Sequence, residues 1–344
     1  GYAYVTAAGD VYYSVEAFER YGCLSGRRLD DMEAGARIEI NETKRHPMDF
    51  ALWKAAKPGE PSWGSPWGQG RPGWHIECSA MSVKYLGEAF DFHGGGNDLI
   101  FPHHENEIAQ AEPCIDGDDK FARYWLHNGF ITVDNEKMSK SMNNFFMVKD
   151  ILKEFSGEVI RFFILQTHYR SPLDFSDERL REAQTALDRL RNTKNIAMEL
   201  ITRDEHADTA LELAQQAELF LHDFDAAMDD DFNTALALSQ MFGLSKEINR
   251  YYQEVERGTA FDAKNFARAL DAYQTMASII GIFEYEEPVA DDGLAADLMK
   301  LIIEIRQDAR ERKDWLLADR IRDGLKENGI ALEDTPNGVR WKRT

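Results

Sequence analysis

The hydrophobic period changes partway along the chain, and no single-layer fold accommodates the change. From Ser176 onward apolar residues recur at helical spacing, with Leu180, Ala183, Leu187 and Leu190 on one face. Ser176 suits an N-cap, and Asp177 and Glu178 fall in the first turn, where carboxylates complement the helix dipole. Helices are predicted at about 208–226, 231–256 and 262–282, so residues 175–285 read as an antiparallel bundle. Upstream, residues 74–168 alternate in type. WHIECSAMSVKYLG opens as a helix, AFDFHGG as a strand and glycine turn, PHHENEIAQAEP as a helix and FITV as a strand. That order predicts an α/β layer that holds ligands at the C-terminal ends of its strands.

Flanking pieces complete the plan. Residues 1–70 carry short strand-like stretches (YAYV, DVYYSV, ARIEI) and the cluster KPGEPSWGSPWGQGRPGW, read as an inserted module with hairpins that ends in a loop. After residue 145, VKDILKEF and EVIRFFILQTHY turn helical. Past the linker EYEEPVADDG come two helices ending at Gly329, then a hairpin with a Pro-Asn-Gly turn. The predicted segments are 1–70, 71–130, 131–174, 175–285 and 295–344.

Charge excludes one class of protein. Lys and Arg total 40 against 61 Asp and Glu, a net charge of -21, which rules against a surface that is basic throughout. Residues 201–300 alone carry 7 basic and 21 acidic residues, so the excess is assigned to the solvated face of the bundle. The tail instead ends in Arg340, Lys342 and Arg343. Three scattered cysteines, Cys23, Cys78 and Cys114, form no disulfide framework, and GYAYVTAAGDVYY shows no basic and apolar leader, so a reducing cytoplasm is expected. No stretch is apolar enough to predict a membrane span.

Three constellations could carry chemistry. Cys78 in GWHIECS, with His103 and Glu107 in FPHHENE, offers a thiolate, an imidazole and a carboxylate, all acceptable zinc ligands. Pro102 suits a first helical turn, which would put His103 and Glu107 on one face; His104 could equally pair with Glu107, and plain burial with hydrogen-bonded histidines would explain the same pattern. HGGGND at 93–98 follows a strand, so its glycines allow close approach to backbone N–H groups and Asp98 could accept from a ribose; alone, it is also an ordinary turn. In ITVDNEKMSKSMNN, Lys137 and Lys140 give a loop donors for polyphosphate oxygens, or form a bare charged loop.

Taken together these segments resemble a known family. KMSKS at 137–141 is similar to the second signature of class I aminoacyl-tRNA synthetases. GRPGWHIECSAM, DFHGGGNDLIFPHHENEIAQ, YWLHNGFITV, DFNTALA and KDWLLADRIRDGLKENGIALEDTPNGVRW resemble the cysteinyl-tRNA synthetase family, in order along essentially the whole chain. The resemblance implies a fold: the second half of a Rossmann-like catalytic domain (71–130) with a connective insertion (1–70). A KMSKS and stem-contact region (131–174), a tRNA-binding helical bundle (175–285) and a small α/β anticodon-binding module (295–344) would come next. It implies an ATP-dependent ligase that makes cysteinyl-AMP and transfers cysteine to tRNA(Cys), with Mg2+ accompanying ATP. One Zn2+ would be held by Cys78, His103 and Glu107, while Trp74 and His93 would line the cysteine site. Gly95, Gly96 and Asp98 would hold the ATP ribose, and Lys140, assisted by Lys137, would contact its phosphates. A cytoplasmic monomer is expected.

Two family features match no residue here: the HIGH-type motif, and a fourth zinc ligand, a cysteine near the start of the catalytic domain. The resemblance therefore implies that this chain lacks an N-terminal part and that its chemistry is incomplete alone. Two rivals accompany this reading: a cysteine ligase acting on a small amino sugar, and a non-catalytic fragment that binds zinc or tRNA. A basic stripe running from Lys140 to the Arg340–Arg343 hairpin would support a tRNA path.

Overall fold

The computed structural model describes residues 1–29, 43–115, 120–133, 136–138, 146–203, 205, 207–284, 293–335 and 338–343. It divides into two compact units: residues 1–144 with 169–174, and residues 145–168 with 175–344.

In the first unit, β1 (Ala3–Val5), β2 (Val11–Tyr13), β3 (Phe50–Ala55), β4 (Trp63–Ser65) and β5 (Gly68–Pro72) form an antiparallel sheet in the order β1-β2-β3-β5-β4. All three residues of β2 are buried, so both faces of the sheet are covered. Tyr13 packs on Phe50, Val15, Tyr21 and Ala109 on one side; on the other, Tyr4 and Tyr12 lie under Arg45, Lys44 and Lys54. The expected hairpins are present: the aromatic and glycine-rich stretch forms β4–β5, where Ser65 Oγ donates to Gly68 O and Gly68 takes a φ of 111°, a conformation that glycine adopts without strain, although β5 runs on to Pro72 where a loop was expected. ARIEI lies outside the described residues.

α1 (Trp74–Leu86) leads to β6 (Phe90–Gly96), and a short turn at Ile100–His104 leads into α2 (Glu105–Ala111) and β7 (Ala122–Asn128). β6 and β7 pair in parallel, which makes a β-α-β unit. Two expectations change here. HGG is strand and not turn, because His93 to Gly96 pair with Trp125 to Asn128. Pro102 does not sit in the first turn of an α-helix; Phe101 is extended, and the regular helix begins at Glu105. β8 (Ile131–Val133) matches the FITV strand and pairs with β9 (Glu136–Lys137) and β10 (Leu173–Asp174). Ser139 to Phe145, which include the last three residues of KMSKS, lie outside the described residues.

The second unit begins with the short α3 (Val148–Ile151) and α4 (Gly157–Leu165), followed by α5 (Asp177–Leu200), α6 (Leu211–Asp229), α7 (Thr234–Glu256) and α8 (Ala263–Ile280). Ser176 Oγ accepts from Arg179 N, the N-cap that the sequence predicts. Leu180, Ala183, Leu187 and Leu190 are fully buried, and each leucine contributes about 1.5–3 kcal/mol by leaving water. The approach of α6 and α7 is set by Gly243, where an added Cβ would collide with the Phe220 ring. α9 (Gly293–Glu311), α10 (Trp315–Glu327), β11 (Ile330–Thr335) and β12 (Gly338–Arg343) complete the chain; the Pro336-Asn337 turn lies outside the described residues. Among the described residues no helix is long and apolar enough to cross a membrane.

Candidate active site

Three elements of the first unit converge on Glu107. α2 places it with no solvent exposure, and among the described residues neither carboxylate oxygen has a hydrogen-bond partner. Such a group is costly unless a cation meets it. The same helix shows the contrast: Glu105, equally buried, accepts from Gly22 N at 2.9 Å and Ser25 N at 2.8 Å. One carboxylate fastens a loop, while the other faces a set of metal-ligand side chains.

His103 Nε2 lies 2.7 Å from Glu107 Oε1 and His93 Nε2 lies 3.2 Å from Oε2, without the alignment of N–H···O bonds. The ring nitrogens and the carboxylate are thus close without satisfying one another by hydrogen bonds. Cys78, one turn into α1, completes a set with His103 and Glu107 whose ligand atoms lie within 4.8 Å of each other. Burial, Glu107 and Glu77 push the Cys78 thiol above its ordinary value, and a dication beside it would reverse that by favouring the thiolate. The donor set fits zinc.

Around this set stand histidines that residue spacing does not reveal. His75 Nδ1 is 2.9 Å from His103 Nδ1, so the two share one proton and His103 keeps Nε2 turned to Glu107. His104 Nδ1 is 2.8 Å from His127 Nε2. Burial, reinforced by His103, lowers His75 to about 4; burial, then His93, His127 and His103, lowers His104 to about 3. Both are therefore neutral at pH 7. Burial also lowers His103, against the opposing pull of Glu107. Trp74 is 57% exposed and stacks on His103 with ring centroids 4.3 Å apart, so it forms an open wall.

Gly95 pairs in register with His127, and an added Cβ there would sit 2.9 Å from His104 Cε1 and Leu99 Cδ1; the missing side chain makes room for the imidazole. At Gly96 a Cβ would meet Asp98 Oδ1 at 2.6 Å, so this glycine lets the exposed Asp98 fold back over the strand end. Cys78, His93, His103, Glu107 and Trp74 are thus brought together, with Gly95, Gly96 and Asp98 at the C-terminal end of β6. Lys137 lies on β9, paired with Thr132. Lys140 lies outside the described residues. Near the far end of the sequence two cations are compensated: Arg340 pairs with Glu199 at 2.5 Å and lies over Tyr252, and Lys342 pairs with Glu333 at 2.5 Å.

Comparisons with known proteins agree with this architecture. Residues 1–185 match the class I (C) tRNA synthetase catalytic domain, and residues 223–284 match the DALR domain. The fold and these matches therefore define a class I tRNA synthetase. The cysteine–tRNA ligase of Heliobacterium modesticaldum is 55% identical over all of this chain and 72% of its own length. That of Moorella thermoacetica is 54% identical over all of this chain and 73% of its own length. This chain belongs to the cysteine–tRNA ligase family. A LeuRS of Agrobacterium radiobacter K84, solved in a ternary complex with tRNA and LeuAMS, shares the fold: TM-score 0.50, 15% identity, 66% of this chain and 31% of that one.

Proposed function

We propose that this chain acts as an ATP-dependent cysteine–tRNA ligase whose cysteine pocket is floored by a zinc ion on Cys78, His103 and Glu107. The observation that carries this is Glu107: a fully buried carboxylate without hydrogen bonds, turned toward a thiol and an imidazole within 4.8 Å. When bound, zinc supplies a Lewis acid that favours a thiolate over the harder and far less acidic hydroxyl of serine. Specificity for cysteine then needs no separate editing site.

The residues of this chain hold and orient. His75, through Nδ1, fixes the His103 ring so that Nε2 stays on the metal side. Trp74 and His93 wall the pocket and orient the substrate. The cysteine carboxylate oxygen attacks the α-phosphorus of ATP and pyrophosphate leaves; a ribose hydroxyl at the tRNA end then attacks the carbonyl of cysteinyl-AMP, and AMP leaves. Neither step uses a covalent protein nucleophile, so positioning and charge neutralisation carry the rate. Gly95, Gly96 and Asp98 are assigned to the ATP ribose, and Lys140 with Lys137 to its phosphates, accompanied by Mg2+. The bundle is assigned to the tRNA body and the C-terminal module to the anticodon, where Trp315, 58% exposed at the start of α10, offers a face for base stacking. A cytoplasmic monomer fits this role. The amino-sugar ligase is not favoured, because the relatives named cysteine–tRNA ligase align over the entire chain, including α9 to β12.

The test combines metal analysis with cysteine-dependent ATP-pyrophosphate exchange and tRNA charging. Cys78→Ala and Glu107→Gln are expected to lose stoichiometric zinc, and wherever exchange is measurable, to lose preference for cysteine over serine. Unchanged zinc in Cys78→Ala overturns the metal assignment. Exchange without tRNA charging would favour the small-molecule ligase.

A further inference from the structure

Glu107 has two oxygens, and only one is accounted for by the site above. Oε1 faces His103, whereas Oε2 faces His93 Nε2 at 3.2 Å. A second set of ligand atoms, from His93, His104 and Glu107, also lies within 4.8 Å of one another. His104 is already oriented as a metal-bound histidine would be: Nδ1 is 2.8 Å from His127 Nε2, and with that hydrogen bond made through Nδ1–H, Nε2 presents a bare lone pair. Space in front of Nε2 is kept by Gly95, where a Cβ would intrude to 3.2 Å. Two imidazoles and a carboxylate suit the borderline divalent ions Zn2+, Co2+ and Ni2+ and leave a tetrahedral ion one open position.

We propose that His93, His104 and Glu107 form a second divalent-metal position, joined to the Cys78, His103 and Glu107 position by the Glu107 carboxylate as a bridge. Adjacent dications repel, and the carboxylate offsets only part of that, so the second ion binds more weakly than the first. It also withdraws His93 from the pocket wall, so its occupancy opposes cysteine binding. That last consequence rests on the cysteine pocket proposed above, whereas the metal position itself does not.

Cobalt titration of the metal-free full chain, read by absorbance and equilibrium dialysis, tests the inference. Wild type is expected to bind about two equivalents, the first with a thiolate-to-cobalt charge-transfer band and the second without one. Cys78→Ala should lose the band and keep about one equivalent; His104→Gln should keep the band and bind about one equivalent. His93→Ala, at a half-buried position, serves if His104→Gln fails to fold by circular dichroism. Saturation of wild type at about one equivalent with the band, or about two equivalents retained in both histidine variants, overturns the second position and leaves the first intact. Binding that needs His104 but never shows the band leaves the second position standing and overturns the first. By calorimetry, L-cysteine affinity should fall about tenfold or more on loading the second equivalent in wild type, and not in His104→Gln. Equal affinity in both loading states would overturn the competition.

Discussion

Two buried carboxylates, one in each unit, set the active-site region against the bundle. Asp262, 1% exposed, accepts from Asn265 N, Asn265 Nδ2 and Ala210 N at 2.8–3.2 Å, and Tyr251 Oη accepts from Asp262 N at 3.0 Å. Glu107 is as deeply buried and has no hydrogen bond among the described residues. The first is the capping knot that starts α8 and ties it to the start of α6. The second is a negative charge kept unsatisfied beside histidines and a thiol. Satisfied and unsatisfied burial therefore mark structure and function, and each difference is measurable.

The largest effect is expected from Asp262→Ala, which strips the acceptor from several buried donors and should cost about 2–4 kcal/mol by urea unfolding of the bundle. A loss under about 1 kcal/mol would break the contrast, because Asp262 would then hold nothing together.

Acid should separate the two regions next. Burial keeps His104 neutral down to about 3, so its folded value is depressed below the ordinary histidine value of about 6.5. The unfolded chain binds that proton first, and stability is lost as pH falls below about 6.5, by about 2 kcal/mol at pH 5 in the metal-free protein. For Asp262 burial alone would raise the carboxyl, but the hydrogen bonds from Asn265, Ala210 and Thr209 outweigh it and hold the group below its ordinary value. Its contribution is complete above the unfolded value of about 3.9 and disappears only as pH falls through the lower folded value. Hydrogen exchange at pH 5 should therefore accelerate around His104 before it does around Asp262, and His104→Gln should flatten the first response. Simultaneous acceleration would count against this reading.

Gly95→Ala is expected to cost about 1–2 kcal/mol, because the new Cβ displaces the His104 ring or the strand. Loss of the downfield imidazole N–H signal shared by His104 and His127 would report the displacement. Glu107→Gln should act in the opposite direction to Asp262→Ala: in metal-free protein it should be neutral or stabilising by up to about 1 kcal/mol, since it removes an uncompensated charge. Destabilisation beyond about 1 kcal/mol would show that Glu107 is held by its neighbours like an ordinary structural carboxylate. The smallest effect, about 0.5 kcal/mol, is expected for Arg340→Ala, whose pair with the exposed Glu199 is screened by solvent. The more sensitive readout is tRNA affinity against salt, which should lose slope only if Arg340 leaves Glu199 to meet a phosphate.

Much of the bundle was legible because helical periodicity and capping are local properties. Leu180, Leu187 and Leu190 repeat at a helical interval and are buried; Ser176 stands where a helix must start and caps it. Cys78, His103 and Glu107 were legible as donors of the right chemistry, although burial with ordinary hydrogen bonds explained the sequence pattern equally well. His75 and His127 were not legible, since a single histidine on a helix or a strand has no spacing to betray it. Nor was β7 itself legible: its irregular burial gives no clean alternation, so nothing local showed that Trp125 and His127 share a face or that His127 meets His104.

By itself the sequence determined the change from mixed α/β order to helical bundle, the caps, the donor types and the family motifs, because each depends on neighbours within a few turns of chain. Only the tertiary structure decided that Glu107 lacks the hydrogen bonds Glu105 has, that Gly95 opens space for His104, and that His93, His103 and His104 face one carboxylate while His75 and His127 back two of them. Those outcomes depend on the parallel register of β6 with β7, in which Gly95 meets His127 across 32 residues of chain, and on how α1 and α2 pack beside it. Whether a buried charge is satisfied is settled by the atoms that arrive from elsewhere, and no local pattern specifies them.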